Sequence, residues 1–361
     1  KKRNFKIDKK KWLDNYLDAT TSPSVDLIVE LIGGAEGPAK KLVFNALKNK
    51  KHVVTANKAL IAIHGEELVM LANKHNVNLA YEAAVAGGIP IIKSVREGLA
   101  GNKIEWIVGI LNGTTNYILT EMKENNLAFD VALKQAQELG FAEADPTFDI
   151  EGIDSAQKLV ILGLLAFGIK PDLNKVYVEG ITSISAEDIK YTNRLGYKIK
   201  LLCIAKLVEN KLDFRVHPVL CSSDSITAGI GGALNAIFIE GDYSKEITFI
   251  GEGAGAEPTA SSVVSDIINA ARNHKYINNL NLLNRKYEYI NMMSRKGKYY
   301  LRFIVNDVSG VLANITSILN ENNISLDSVI QDGNKGEDSQ FIIILTHLCK
   351  ELDIINAIKK I

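Results

Sequence analysis

The chain has 361 residues, 47% hydrophobic and 23% charged, an ordinary globular composition with length for about two to three domains and a substantial core. Lysine plus arginine and aspartate plus glutamate both total 42, so the formal charge is zero and nothing in it speaks for a nucleic-acid or membrane partner. No apolar run reaches the roughly 18 residues of a transmembrane helix, and the basic opening KKRNFKIDKKKW lacks the apolar centre of a signal peptide. Three scattered cysteines, Cys203, Cys221 and Cys349, exclude a disulfide framework and have no metal-ligand spacing. Buried thiols in a reducing, cytoplasmic compartment are expected.

Residues 25–31 (VDLIVEL) form the apolar run of a buried parallel strand, followed by Gly33 and Gly34. Residues 38–49 are expected to be a helix with Pro38 in its first turn. A strand at 52–55 (HVVT), a helix at 59–73 and a strand at 77–81 follow. This alternation predicts a parallel sheet with right-handed crossovers. Ligands of such sheets lie beyond the C-terminal ends of the strands, where Gly33, Gly34 and residues 55–58 (TANK) fall. A dinucleotide-binding fold opens with strand, G-x-G-x-x-G and helix. No such motif precedes Val25, and GEGAG at 251–255 is not in that register. The chain also begins without methionine, in what reads as the middle of a domain. A fragment lacking the opening βαβ unit is therefore expected.

Residues 81–90 (YEAAVAGGIP) are small and apolar with one acid, Glu82. They read either as a strand running into a glycine-rich turn or as a loop whose inward carbonyls hold a hard cation. A strand at 104–111 ends in the Asn112-Gly113 turn. Thr114 or Thr115 is expected to cap the helix that follows. A helix at 132–139 is stopped by Gly140, and an acidic loop around Pro146 carries Glu143, Asp145, Asp149 and Glu151. From Ile153 the chain is too long and too apolar for a strand, so a buried helix is expected. Asp154 and Lys158 lie four apart on it and share a face. On a surface such a pair is worth a few tenths of a kcal/mol. Among apolar neighbours a lysine keeps its charge only with carboxylates beside it. Such a cluster can bind an amino acid and move a proton.

Residues 176–219 alternate strand-like VYVEGIT, helix-like AEDIKYTNRLGYKIKLLCIAKL and strand-like LDFRVHPVL. His217, beside a proline, is expected to be structural. Residues 247–271 pass from strand through a glycine-rich turn into a helix. Residues 273–298 are polar and read as a linker. From 299 a new pattern starts. It comprises a strand, a helix with apolar Val311, Leu312, Ile315, Ile318 and Leu319, two strands around a turn at 333–336, and a helix at 350–360. That is the ferredoxin-like order short of its last strand, which points to shortening at the C-terminus as well.

Ala136, Gly140, Phe141, Asp145, Pro146, Asp149, Gly152, Asp154 and Lys158 stand at the spacing of the homoserine dehydrogenase signature. VELIGG, VVTANKALIA and NGTTNYIL resemble further stretches of that family, and the last segment resembles an ACT domain, an amino-acid-sensing module. The resemblance implies an α/β protein in three parts. A partial Rossmann-type nucleotide domain covers 1–85, with a return segment at about 251–275. An α+β catalytic and dimerisation domain covers 86–250. A linker at 276–298 leads to a ferredoxin-like ACT domain at 299–361. It implies NADP- or NAD-dependent interconversion of L-homoserine and L-aspartate 4-semialdehyde, by a homodimer or homotetramer. By the same resemblance Ile32, Gly33, Lys58, Gly140, Gly253 and Gly255 meet the dinucleotide. Gly113, Thr114, Glu143, Asp149 and Asp154 meet the substrate, and Lys158 and Lys58 are the catalytic pair. A monovalent cation, Na+ by expectation, is assigned to Glu82 and the carbonyls of Val85, Gly87 and Ile89. A regulatory amino acid, L-threonine by expectation, is assigned to Asn306, Asp307 and Gly310, with serine at 309 where such domains commonly have proline. A competing reading makes the shortened chain a catalytically impaired amino-acid-binding module. Free lysine titrates near pH 10.4, so a lysine acid/base predicts aldehyde reduction at neutral pH and oxidation favoured at high pH.

Overall fold

The computed structural model describes residues 8, 12–169, 171–272, 287–333 and 339–361. After a short helix α1 (Asp18–Thr21), strands β1 (Leu27–Glu30), β2 (His52–Thr55) and β3 (Leu79–Ala80) form a parallel sheet in that order. Leu27 pairs with His52, Glu30 with Thr55 and Val53 with Leu79. The crossovers are α2 (Pro38–Lys48), with Pro38 at its first position, and α3 (Lys58–His75), which ends on left-handed Asn76. Leu42, Val43, Ala46 and Leu47 of α2 face the sheet, as do Leu60, Ile61, Leu68 and Val69 of α3. Each large side chain so buried contributes about 2 kcal/mol. The expected alternation is therefore present, with the strands shorter than their apolar runs.

A 3-10 turn (Glu82–Ala84) and a short helix α4 (Ile91–Lys93) lead into the second body. Its sheet comprises β4 (Ile104–Ile110), β5 (Tyr177–Val178), β6 (Tyr197–Val208), β7 (Lys211–Ser222), β8 (Leu234–Gly241), β9 (Lys245–Glu252) and β10 (Glu288–Tyr289). The order is β10-β7-β6-β4-β8-β9, with β5 also paired to β7. Helices α5 (Gly113–Glu124), α6 (Phe129–Glu138), α7 (Thr147–Ile150), α8 (Ile153–Phe167), α9 (Ala186–Arg194) and α10 (Ile226–Gly229) accompany it, and α11 (Ala256–Arg272) packs against the 3-10 turn and β2.

Helix α8 is buried on nearly all sides, as its sequence predicts. Two glycines of the molecule make that possible. A Cβ on Gly65 of α3 would stand 3.0 Å from Leu164, and one on Gly163 would strike the ring of Phe214. The helix is thus wedged between α3 of the nucleotide-type body and β7, and one core spans both bodies.

Two local expectations are corrected. The cap of α5 is Asn112, whose side chain accepts from the Thr115 N–H (2.8 Å), rather than either threonine. The long helix-like stretch after Ala186 is helical only to Arg194. Gly196, at φ 82°, turns the chain, and residues 197–208 become a twelve-residue inner strand of the sheet. Alternating lysines, leucines and isoleucines fit either period, and pairing with β4 and β7 decides it. Of the expected linker, 273–286 lie outside the described residues, while β10 and β11 (Lys296–Gly297) bracket a 3-10 turn at Met292–Ser294.

The C-terminal body has β12 (Tyr300–Asn306), α12 (Val311–Glu321), β13 (Leu326–Gly333), β14 (Ser339–Thr346), β15 (Cys349–Lys350) and α13 (Glu351–Ile358), with sheet order β12-β14-β13. The turn expected at 333–336 lies outside the described residues from 334 onward. Leu301, Ile315, Leu319, Ile342, Ile344 and Ile354 form its own core. Arg302 clamps Asp188 of α9 (2.6 and 3.3 Å), tying this body to the catalytic one. Among the described residues no helix is long and apolar enough to cross a membrane.

Candidate active site

Where α3 begins, at the C-terminal edge of the parallel sheet, Lys58 reaches across to α8. Its Nζ stands 2.5 Å from Asp154 Oδ1. Lys158, one turn along α8, places its Nζ 2.8 Å from Asp154 Oδ2 and donates to the Leu111 carbonyl at 2.7 Å. Asp154 is 1% exposed and shared between two ammonium groups contributed by two different bodies. Asn112 completes the floor, its Nδ2 donating to Asp154 Oδ2 (2.9 Å) and to Asp149 Oδ1 (2.7 Å). Burial alone would raise the Asp154 pKa, but the charges and hydrogen bonds of Lys158 and Lys58 outweigh it and hold the carboxyl well below the usual range. Among the described residues Asp149 has no cation in contact, although Lys158 and Lys58 act on it from a distance. Burial pushes its pKa up, the Asp154 charge adds to that, and the Asn112 bond opposes it.

The spacing of Asp154 and Lys158 thus places them in a buried pair rather than on a solvated face. Lys58 is the more open lysine, about a third exposed, with its ammonium 5.5 Å from the centre of the Phe148 ring. Gly113 starts α5 where a Cβ would stand 2.6 Å from the Ala233 carbonyl. Thr114 donates to the Phe141 carbonyl (2.6 Å) and so fixes the loop after Gly140 over the site. Glu143 is not brought into the cluster. It is exposed on that loop, where its carbonyl accepts from Gln137. Gly140 ends α6 at φ 79° and is exposed.

At the sheet edge Ile32 and Gly33, two of the residues expected to meet a dinucleotide, belong to one bonded network with Glu30, Thr55 and Asn57. Glu30, fully buried, accepts from the backbone N–H groups of Ile32 (2.7 Å) and Gly33 (2.9 Å) and from the Thr55 hydroxyl (2.6 Å). Asn57 caps α3 and donates to the Gly34 carbonyl (2.8 Å). Gly33, at φ 89°, has open space where a Cβ would lie, so a phosphate can approach its backbone. Gly253 is pressed on the side chain of Asn235, and Gly255 has φ 113° just before α11. These turns fit a dinucleotide running from β1 toward Lys58.

The Glu82 region is built differently. Glu82 is 2% exposed, and its carboxylate accepts from the N–H groups of Ile92 (2.7 Å) and Lys93 (3.0 Å). Burial pushes its pKa up to about 7 despite those bonds. The Gly87 carbonyl accepts from Ser262 (2.5 Å), that of Ile89 from the Ile91 N–H (2.7 Å), and Val85 lies fully buried between them. Each carbonyl keeps a second lone pair. An all-oxygen set beside a carboxylate that gains from positive charge fits a hard monovalent cation. Among the described residues no cluster of three or more histidine, cysteine or acidic side chains is arranged for a metal.

Sequence reasoning missed Glu30, Asn57 and Asn112 as organisers of the site. An acid just before Gly-Gly, and asparagines just before helices, were the available signals. At Asn306, Asp307 and Gly310 the chain turns from β12 into α12, with Gly310 at φ 92° as N-cap and Asp307 accepting from Gln340 (2.9 Å).

Three family profiles match the chain: Homoserine dehydrogenase, NAD binding domain, over residues 1–82; Homoserine dehydrogenase over 90–268; and ACT domain over 299–361. The homoserine dehydrogenase of Pseudomonas aeruginosa is 44% identical over 353 residues, which is 95% of this chain and 81% of that protein. A crystal structure of a homoserine dehydrogenase from Thiobacillus denitrificans superposes with a TM-score of 0.89 at 46% identity, covering 96% of this chain and 81% of the other. A hyperthermophilic archaeal homoserine dehydrogenase in complex with NADPH gives a TM-score of 0.63 at 30% identity over 72% of this chain and 76% of its own.

Proposed function

The chain belongs to the homoserine dehydrogenase family, an oxidoreductase that interconverts L-homoserine and L-aspartate 4-semialdehyde with a nicotinamide cofactor, and from that premise we propose that Lys158 is the acid/base at the substrate hydroxyl. The observation that carries this reading is the Lys158 ammonium, held between Asp154 and the Leu111 carbonyl at the floor of the junction between the two bodies. When bound, the nicotinamide supplies or accepts the hydride. In reduction, Lys158 hands a proton to the carbonyl oxygen as electron density collects there and is left as an amine. In oxidation the amine takes the hydroxyl proton. Asp154 keeps Lys158 aimed and shares its charge with Lys58, which faces the nicotinamide side.

Asp149 and Glu143 are the carboxylates for the substrate ammonium. A cation against Asp149 would reverse the upward push on its pKa, so binding and ionisation favour each other. Gly113 and Thr114 shape the wall behind the substrate. The dinucleotide, NADP or NAD, would run along Ile32, Gly33, Gly253 and Gly255 to Lys58 and Gly140. The open backbone at Gly33 and the glycine turns support that path. Na+ at Glu82 with the carbonyls of Val85, Gly87 and Ile89 would hold the loop between the two sheets. L-Threonine at Asn306, Asp307 and Gly310 would act as feedback ligand. Strand β9, an edge of the seven-stranded sheet, supports assembly into a homodimer or homotetramer across that face. A binding module without catalysis is not favoured, since the relatives that span nearly the whole chain are enzymes.

The test is Lys158→Ala. It should lower kcat about 10²–10⁴-fold in both directions, with cofactor affinity retained. Turnover within threefold of the parent would remove Lys158 from the mechanism.

A further inference from the structure

A cavity of about 560 Å³ separates the ACT domain from the catalytic sheet, a volume in the range that encloses small metabolites. Tyr177, Glu179 and Pro218 form its catalytic wall, and Tyr299 and Leu345 its ACT wall. Arg295 reaches it from the segment that joins the two bodies. The carboxylates on these walls are already engaged. Glu179 accepts from the Tyr177 hydroxyl (2.8 Å) and Glu351 from that of Tyr299 (2.7 Å). Asp188 holds Arg302 and the Tyr300 hydroxyl (3.0 Å), and Asp327, at the rim, faces His347 (3.8 Å). His217 accepts from Arg215 Nε (3.2 Å), and burial pushes its pKa down to about 4, so it is neutral.

Arg295 is different. Its guanidinium is half-buried and, among the described residues, has neither an ion-pair nor a hydrogen-bond partner. Its pKa is lowered by burial and further by Arg215, while Tyr299, Asp213 and Glu351, each engaged with another group, offset part of that from a distance. Lys298 adds a second positive group on the same rim. A partly desolvated guanidinium without an anion in contact is costly, and its planar fork matches carboxylate and phosphate.

We propose that this cavity binds a small organic anion, a carboxylate or a phosphate monoester. Its acid group lies on Arg295, its body lies between Tyr299, Pro218 and Leu345, and its occupancy changes turnover. The route to the active site is one strand thick. Tyr177 and Glu179 face the cavity, while the next residues lie on the turn that carries Asp149. The Ile181 N–H donates to the Ile150 carbonyl (2.8 Å), and Gly180 is so close to Ile150 and Glu151 that no Cβ would fit. A Cβ on Gly152, which caps α8, would stand 3.2 Å from both Val178 and Val216. A ligand that shifts this strand shifts the carboxylates of the site. The proposal is independent of an amino acid at the Asn306–Gly310 turn.

The experiment is calorimetric titration of the full chain with inorganic phosphate and, separately, with phenylacetate, repeated on Arg295→Met and on the cavity-filling Leu345→Trp. At least one probe should bind the parent, and both variants should weaken it at least about tenfold. Without probe, kcat of the variants should stay within about twofold of the parent. Saturating probe should change kcat or KM at least about twofold in the parent and in neither variant. Binding of phosphate alone would identify a phosphorylated ligand, and of phenylacetate alone a carboxylate. No binding of either at about 50 mM, or binding untouched by both substitutions, would overturn the site. Binding that leaves turnover unchanged would overturn the coupling. Should Arg295→Met fail to fold, Leu345→Trp decides by the same readings.

Discussion

Asp154 and Glu82 are both almost completely buried, at 1% and 2% exposure, yet their acidities move in opposite directions. Asp154 faces two ammonium groups and is held in its charged form. Glu82 faces two backbone N–H groups, which do not repay the loss of water, and its pKa rises to about 7. Burial is common to both, so it is the nature of the partner that sets the charge. The difference suits two tasks. A carboxylate fixed as an anion can aim a proton-carrying amine without taking its proton. A carboxylate poised near neutrality can respond to a cation that arrives beside it.

The contrast can be broken most severely at Asp154. Asp154→Asn leaves two amines, one of them buried, without their counter-charge, and removal of one partner of a buried pair costs about 3–5 kcal/mol. Urea unfolding should show a loss near the lower figure, because Lys58 is partly solvated, and kcat should fall about 10²-fold or more. A variant with parental stability would mean that the lysines do not depend on this carboxylate.

Glu82 should show the opposite pH signature. Its folded pKa lies above the unfolded value of 4.5, so between pH 4.5 and about 7 the folded chain holds a proton that the unfolded chain has released. Stability from this group is therefore complete below pH 4.5 and is lost as pH rises to about 7, by at most about 3 kcal/mol. Asp154, depressed, contributes above pH 3.8 and loses that contribution as the medium grows more acidic. Thermal melts from pH 4.5 to 8 should show a slope that flattens in Glu82→Gln. Added NaCl at pH 8, compared with choline chloride, should restore stability to the parent only. Equal slopes in parent and variant would show that Glu82 titrates as an ordinary surface acid.

Asn112→Ala sharpens the Asp154 side, since it removes a neutral donor to Asp154 and Asp149 together with the cap of α5. Loss of the cap costs about 1 kcal/mol, and the freed carboxylates should lower kcat about tenfold. A variant that loses stability but keeps its kcat would reduce Asn112 to a cap. The smallest effect on folding is expected at Glu143, an exposed carboxylate that, among the described residues, is held by neither kind of partner. Glu143→Gln should leave stability within about 0.5 kcal/mol while raising KM for homoserine severalfold. An unchanged KM would take Glu143 out of substrate binding.

How much of this was legible beforehand varies from residue to residue. The α8 helix, its buried Asp154 and Lys158, the parallel sheet and the βαββα order of the last domain all follow from periodicity, turn residues and spacing, which act over a few positions along the chain. The local rules failed where two conformations fit equally well. Residues 197–208 satisfy a helical pattern until neighbouring strands claim their backbone, and Thr114 and Thr115 read as the caps of α5 until the turn geometry gave that role to Asn112.

Only the tertiary structure could bring Lys58 to Asp154, place the Leu111 carbonyl on Lys158, set Glu82 against the amides of α4 and leave Arg295, among the described residues, without an anion in contact. Those relations are between distant segments, and their strength depends on how much water packing has removed. The sequence by itself determined which chemical groups were present and which face of each element they occupied. Which of them are charged, paired or left waiting was decided when the bodies closed on one another, because desolvation and Coulomb energy are properties of that closure rather than of any single stretch.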